Sequence, residues 1–171
     1  YDINHQERPF EVFVPENLAV KNNGDGTWTV VTAEAYVTEM LGAYVNEPGS
    51  REHKVGYATL EEAIAAAKTG ETVTMVKNVE LTESIVNTKT VTLNLNGKSL
   101  VATDNATGSY AMITNKGNLT INDDGEGEGA IKLTATNNRG WNAYSSVISN
   151  TVGGKLTVNG GTIEHLGGTD M

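Results

Sequence analysis

The residues best suited to bind a ligand lie together in one short segment, Arg139-Gly140-Trp141-Asn142-Ala143-Tyr144. The rings of Trp141 and Tyr144 could stack on the face of a sugar, and Arg139 and Asn142 carry donors for sugar hydroxyls. The segment falls between two repeated strand motifs, and loops between regular elements often carry binding residues. We therefore expect a carbohydrate site here. The alternative is that the two rings only cover the edge of a sheet.

A second group of residues could bind a metal ion. Asp123, Asp124, Glu126 and Glu128 form an acidic run in which glycines alternate with the last carboxylates. Carboxylate oxygens are ligands that Ca²⁺ prefers, although the spacing differs from that of the EF-hand loop. These four residues are therefore the candidate Ca²⁺ ligands, and a solvated acidic turn is the alternative. The sequence indicates no other cofactor.

No arrangement of residues typical of catalysis is present. The chain has no cysteine, which excludes a thiol nucleophile, thiolate metal sites and disulfides. Its three histidines are far apart, and none lies at metal-ligand spacing from another. A glycosidase needs only two carboxylates placed by the fold, so an enzyme stays an alternative. Its candidate acids are Asp104, Asp123, Asp124 and Glu126.

Composition and charge exclude some partners. The 171 residues include 21 acids and 12 bases, which gives a net charge of -9. Such a chain has no basic face to neutralise the phosphates of nucleic acid, and an anionic membrane surface repels it. No apolar run approaches the roughly 20 residues of a membrane span. We expect neither nucleic-acid binding nor membrane insertion.

Internal repeats indicate how the chain positions these residues. Residues 111–115 match residues 146–150 at a shift of 35, and residues 117–122 match residues 154–159 at a shift of 37. Thr92-Leu93-Asn94-Leu95-Asn96-Gly97 is a third, looser copy. Strands that keep their register while turns vary in length are typical of a parallel β-solenoid. A β-sandwich is the alternative, because short alternating strands occur there too.

Asparagines follow or end several of these strand motifs, as at Asn96, Asn122 and Asn159. Asparagine tolerates the left-handed conformation of tight turns, and stacked asparagines can form hydrogen-bonded ladders. We expect these three residues to lie in the turns of the solenoid.

One helix precedes the repeats. The pair Thr59 and Glu62 has the spacing of a capping box, which predicts a helix start. Lys68 lies near the expected C-terminal end, where a cation is favoured, and Gly70 suits the left-handed residue after a helix. The apolar stripe comprises Leu60, Ala63, Ile64 and Ala67. We expect this short amphipathic helix to cover the first coil.

The segment from Gly56 to Val73, with the sequence GYATLEEAIAAAKTGETV, resembles the opening segment of right-handed parallel β-helix domains. Those domains are similar to the pectate-lyase-like superfamily and are common in repeat-rich surface proteins of Gram-positive bacteria. The resemblance covers about residues 56–171. It implies an all-β, right-handed parallel β-helix of about four coils with an N-terminal capping helix. We expect residues 1–55 to form a small β appendage, and the chain to be a piece of a longer protein.

The resemblance implies several functions, because the superfamily includes lyases, hydrolases and non-catalytic adhesin stalks. Without a catalytic motif, the sequence favours a non-catalytic, extracellular module of a bacterial cell surface or cell wall that serves adhesion, glycan contact or spacing. Its expected partners are a carbohydrate or a host surface protein. The alternatives are a polysaccharide lyase or glycoside hydrolase of this class, and part of a surface protease whose active site lies elsewhere. Nothing after Ile163 would cover the last coil, so we also expect end-to-end self-association there.

Overall fold

The computed structural model describes residues 18–22, 28–32, 43–46, 54–136 and 143–167. These residues form fifteen strands and one helix. The first two strands, β1 (Leu18–Asn22) and β2 (Trp28–Thr32), pair as an antiparallel hairpin. The segment between them has the sequence Asn23-Gly24-Asp25-Gly26-Thr27, and asparagine, aspartate and glycine favour tight hairpin turns.

The helix, α1 (Leu60–Ala66), begins as its capping box predicts. The Glu62 N–H donates to Thr59 Oγ1 over 3.2 Å, and the Thr59 N–H donates to Glu62 Oε2 over 3.4 Å. The helix ends before Gly70, because Ala67 already has a ψ of 134°. Gly70 has a φ of 90° and lies in the turn that leads into the next strand. Within the described residues, no helix has the length and apolarity needed to cross a lipid bilayer.

A lysine from a later part of the chain caps the C-terminal end of α1. Lys89 Nζ donates to the carbonyl oxygens of Ala65, over 2.6 Å, and Ala67, over 2.7 Å. The last carbonyls of a helix have no partner within the helix and carry partial negative charge, so they favour a cation. Lys68, which is closest in sequence, is exposed, and its N–H donates to Glu71 Oε2 over 2.6 Å.

We expect Lys89→Met to lower the free energy of unfolding by about 1–2 kcal/mol, because two helix carbonyls lose a charged donor. The matched control is Lys116→Met, at an exposed lysine, with an expected effect within about 0.5 kcal/mol. Urea denaturation followed by circular dichroism measures both variants. Equal effects of the two substitutions would contradict the assigned role of Lys89.

Four strands precede α1 and eleven follow it. β3 spans Ala43–Asn46 and β4 spans Lys54–Tyr57. The strands after the helix are β5 (Thr72–Met75), β6 (Val79–Leu81), β7 (Ile85–Asn87), β8 (Thr90–Asn94), β9 (Ser99–Asp104), β10 (Tyr110–Asn115), β11 (Asn118–Asn122), β12 (Ala130–Ala135), β13 (Ser145–Asn150), β14 (Lys155–Val158) and β15 (Thr162–Gly167).

The strands after α1 enter three sheets in strict rotation. The first sheet contains β5, β8, β11 and β14, the second contains β6, β9, β12 and β15, and the third contains β7, β10 and β13. All neighbours within these sets are parallel. One pass through the three sheets is called a coil below. At the outer edge of β5, β3 adds antiparallel to the first sheet, and β4 pairs antiparallel with β3. The prediction of a mainly β chain with parallel strands is confirmed, and the arrangement is consistent with a solenoid.

The strand registers agree with the repeats in the sequence. Ile113 lies opposite Ile148, and Leu119 lies opposite Leu156, as the shifts of 35 and 37 residues predict. In the first sheet, the shift between paired residues is 20 from β5 to β8, 28 from β8 to β11 and 37 from β11 to β14. From the second coil to the third, the strands keep their lengths and the added residues lie in the turns between sheets, which are called corners below. The second coil exceeds the first mainly because its strands are longer. The coils therefore differ in length while the paired strands stay aligned.

Alternate side chains of the strands are buried and form the core. In the second sheet, for example, Leu100 and Ile131 lie opposite each other and are both fully buried. The core is closely packed on the helix side as well. A void lined by Ile64, Ile85 and neighbouring apolar side chains has a volume of only ≈ 10 Å³. Such a volume holds about one water molecule and no organic ligand.

Candidate functional site

The corner between the second and third sheets is called the loop corner below. Residues 105–109 connect β9 to β10 there, and residues 136–144 connect β12 to β13, of which the structure describes 136, 143 and 144. The described end of the second connection lies beside the first. The Tyr110 N–H donates to the Tyr144 carbonyl oxygen over 2.8 Å, and the Tyr144 N–H donates to Ser109 Oγ over 3.3 Å. Long connections on a regular scaffold are where binding residues concentrate.

A buried carboxylate holds the two connections of the loop corner together. Asp104 is 1% exposed. Its Oδ1 accepts from the Ala106 N–H over 3.1 Å, and its Oδ2 accepts from Ser145 Oγ over 2.5 Å. Its carbonyl oxygen accepts from the Thr136 N–H over 3.0 Å. Asp104, an acid considered above for an enzyme, is therefore a structural tie between consecutive coils.

One member of the predicted carbohydrate group lies in the described part of the chain. Tyr144 is 57% exposed at the loop corner, so part of its ring is accessible to a ligand. Arg139, Trp141 and Asn142 lie outside the described residues. The carbohydrate site therefore stays a prediction.

The acidic run lies at another corner, between the first and second sheets. Asp123 accepts hydrogen bonds at both carboxylate oxygens, from the Gly97 N–H over 2.6 Å and from the Gly129 N–H over 2.7 Å. Asp124 Oδ2 accepts from Asn94 Nδ2 over 3.1 Å, and the Asp124 N–H donates to Asn94 Oδ1. Hydrogen bonds to a carboxylate are stronger than those between neutral groups. Both aspartates fasten this turn to the preceding coil.

The four predicted Ca²⁺ ligands do not form a metal-binding group in this arrangement. Asp123 and Asp124 bind the preceding coil, while the side chains of Glu126 and Glu128 are exposed. Among the described residues, no three His, Cys, Asp or Glu side chains are placed to hold a metal ion. Ca²⁺ binding by the acidic run stays a prediction. Asp104 and the acidic run also lie at different corners, so the structure does not bring the candidate acids of an enzyme together.

A feature that the sequence analysis missed is a ladder of asparagines at the corner between the third and first sheets, in which Asn87 and Asn115 are buried and Asn150 is exposed. Asn87, Asn115 and Asn150 end the three strands of the third sheet, and they are called the asparagine ladder below. Asn87 Nδ2 donates to Asn115 Oδ1 over 2.9 Å, and Asn115 Nδ2 donates to Asn150 Oδ1 over 2.7 Å. Asn115 and Asn150 end the repeated five-residue motif, so the repeat contained the signal.

Each member of the ladder also binds the turn that follows its strand. The side chains of Asn87 and Asn150 donate to the carbonyl oxygens of Lys89 and Gly154, over 3.0 and 2.7 Å. Asn115 Oδ1 accepts from the Gly117 N–H over 3.3 Å, and Asn115 Nδ2 donates to the Lys155 carbonyl oxygen, one coil further on, over 3.0 Å. The ladder thus fixes the position of successive turns, which is a structural role.

The asparagines named from the sequence form a smaller set of contacts. Asn159 Nδ2 donates to Asn122 Oδ1 over 2.9 Å, which makes one rung. Asn96 instead donates from Nδ2 to the Met75 carbonyl oxygen over 3.0 Å, and its φ of 53° is left-handed, as expected of a turn asparagine.

Three corners thus hold the polar groups that sequence and structure single out. The loop corner contains the exposed Tyr144, whereas the other two corners contain hydrogen bonds that connect successive turns. No protein family, curated protein or solved structure matches this chain.

Proposed function

We propose that this chain is a non-catalytic, extracellular module of a bacterial cell surface or cell wall, which acts as a stiff spacer and contacts neutral glycans. The observation that carries the proposal is the stacking of parallel strands in register from coil to coil, although the coils differ in length. We further propose that the three sheets close into a right-handed parallel β-helix of about four coils. Parallel crossovers within a sheet are right-handed in nearly all proteins, which supports that hand.

The stacked coils suit a spacer. Each coil adds about 4.8 Å of height, the distance between hydrogen-bonded strands. Every strand in the interior of the stack is hydrogen-bonded on both sides, and the core columns run through all coils. Contacts between adjacent coils therefore resist bending along the whole length, while loops at the corners vary without disturbing the stack.

The outward face of the first sheet supports contact with a hydroxyl-rich polymer. Threonines occupy the same register position on four successive strands and alternate with buried core residues. They are Thr72, Thr92, Thr120 and Thr157. This column presents hydroxyls at intervals of about 4.8 Å, each able to donate and accept a hydrogen bond.

The charge of the chain indicates which glycans it would contact. A net charge of -9 repels polyanions such as uronic-acid polymers, since like charges raise the free energy of association. Neutral glycans avoid this repulsion. The aromatic ring of Tyr144 at the loop corner offers the apolar face on which a neutral sugar ring can stack.

A glycan-array screen tests the proposal, with the wild type, Tyr144→Ala and Trp141→Ala. We expect neutral glycans to bind, and each substitution to weaken binding by about tenfold, because a lost stacking contact is worth about 1–1.5 kcal/mol. The matched control is Val152→Ala, at an exposed residue of another corner, with unchanged binding. Repeating the screen with Ca²⁺ or a chelator tests the acidic run.

Two results would contradict parts of the proposal. Silence across the array would remove the glycan contact and leave the spacer, or a host surface protein, as the alternative. Polysaccharide cleavage that disappears in Asp124→Asn or Glu126→Gln would show an enzyme of the pectate-lyase-like class. If the same activity survived both substitutions, those acids would carry no part of it.

A further inference from the structure

The turn between β8 and β9 carries a chemistry that the proposed function does not use. It contains the dipeptide Asn96-Gly97. In such a dipeptide the glycine nitrogen can attack the side chain of the asparagine, because glycine has no side chain to hinder the approach. The reaction replaces the side-chain amide with a carboxylate. Asn96-Gly97 is therefore a site of spontaneous deamidation unless the fold prevents the reaction.

Deamidation needs no reactant besides water. Gly97 N loses its proton and bonds to Asn96 Cγ, and Asn96 Nδ2 takes up a proton and leaves as ammonia. Water then opens the five-membered imide at one of its two carbonyl carbons. The chain is left with aspartate, or with isoaspartate, in which the backbone runs through the former side chain. In both products a carboxylate stands where the amide was.

The attacking nitrogen is bound by the next coil. The Gly97 N–H donates to Asp123 Oδ1 over 2.6 Å, and the other oxygen of this carboxylate accepts from the Gly129 N–H over 2.7 Å. Gly97 N must lose its proton before it can attack. The adjacent carboxylate raises the free energy of the resulting anion, because like charges repel. Asp123 therefore opposes the first step of deamidation.

The asparagine itself is bound by the preceding coil. Asn96 Nδ2 donates to the Met75 carbonyl oxygen over 3.0 Å, and the Asn96 N–H donates to Asn94 Oδ1 over 3.0 Å. Ring closure requires Asn96 Cγ to turn onto Gly97 N, and the bond to Met75 restrains that rotation. The leaving amide and the attacking nitrogen are thus tied to opposite neighbours in the stack.

The turn that contains the acidic run lies against this dipeptide. A Cβ added at Gly125 would lie 2.6 Å from Asn96 Oδ1, and a Cβ added at Gly97 would overlap the Glu126 carbonyl oxygen. Both residues of the dipeptide are accordingly only partly exposed. The dipeptide therefore has little room for ring closure unless residues 123–129 move away from it.

We propose that Asn96-Gly97 is a latent deamidation site, which the turn with the acidic run keeps unreacted as long as it stays closed. Opening of the turn starts the reaction, and the product then opposes closure. A carboxylate at position 96 has no N–H to donate to the Met75 carbonyl oxygen, and it adds a negative charge beside the acidic run. The site thus converts a reversible local opening into a permanent change.

Peptide mapping by mass spectrometry measures deamidation at Asn96 in the full chain during incubation at mildly alkaline pH. We expect the folded wild type to react at least about tenfold more slowly than the chain unfolded in guanidinium chloride. Asp123→Ala should raise the rate in the folded chain by about tenfold, because Gly97 N–H loses a charged acceptor. The matched control is Glu128→Ala, which removes the same charge from an exposed side chain of the acidic run, with an unchanged rate.

If Asp123→Ala does not fold by circular dichroism, the wild type in denaturant below its unfolding transition replaces it, and deamidation should rise together with hydrogen exchange of the Gly97 amide. Three results would overturn the proposal. Equal rates in the folded and unfolded wild type would show that the fold gives no protection. Equal acceleration by Glu128→Ala and Asp123→Ala would assign the effect to charge alone. An Asn96→Asp variant as stable as the wild type would show that the turn closes over the product.

Discussion

Replacing Asn115 with alanine is expected to lower the free energy of unfolding by about 3–5 kcal/mol. The side chain is fully buried, accepts from Asn87 Nδ2 and the Gly117 N–H, and donates to Asn150 Oδ1 and the Lys155 carbonyl oxygen. Alanine removes all four hydrogen bonds and leaves the Asn87 amide buried without this acceptor. An unsatisfied buried polar group costs about 1–3 kcal/mol, and the lost volume adds a cavity.

Urea denaturation measures this effect, with Asn118→Ala as the matched control. Asn118 is exposed on the following strand, and its side chain makes one hydrogen bond, from Nδ2 to Thr90 Oγ1 over 3.2 Å. Its replacement is expected to change stability by less than about 1 kcal/mol. If the two variants had similar midpoints, the asparagine ladder would contribute little to stability.

Gly117→Ala is the second large expected effect, a loss of about 2–4 kcal/mol. An added Cβ at Gly117 would lie 2.3 Å from the Lys89 carbonyl oxygen, 2.6 Å from the Lys89 nitrogen and 2.7 Å from the Thr88 carbonyl carbon. All three atoms belong to the backbone that leads into β8, so they can move only by displacing that strand. The same displacement would draw Lys89 away from the end of α1.

The matched control is Gly108→Ala, where an added Cβ meets no atom within 4 Å. We expect stability within about 0.5 kcal/mol of the wild type, because the substitution adds no clash and restricts the unfolded chain. Thermal unfolding of the two variants gives the comparison. A Gly117→Ala variant as stable as Gly108→Ala would show that neighbouring coils are packed more loosely than these distances require.

The parts of the fold that depend on local pattern could be predicted from the sequence. The pairing of Ile113 with Ile148 follows from the repeat, because stacked strands must keep apolar residues on the inner face. The helix start follows from Thr59 and Glu62, which are neighbours on one turn whatever the rest of the chain does.

The parts that depend on contacts between coils could not be predicted in this way. Lys89 caps α1 from 22 residues beyond Ala67, and only the length of the first coil brings it there. The carboxylates of the acidic run suggest a metal site, but the sequence does not show that Asp123 accepts from the Gly97 and Gly129 amides. These partners come from turns whose stacking the sequence pattern leaves open.

The pairing of every coil with the coil before it has a consequence for how the chain folds. Paired residues of the first sheet are 20, 28 and then 37 residues apart, so every coil needs only the coil before it as a template. The helix-covered coil also comes earliest in chain order, and a ribosome therefore completes the template before the later strands emerge. We expect folding to begin at this nucleus and to proceed by adding coils in order of synthesis.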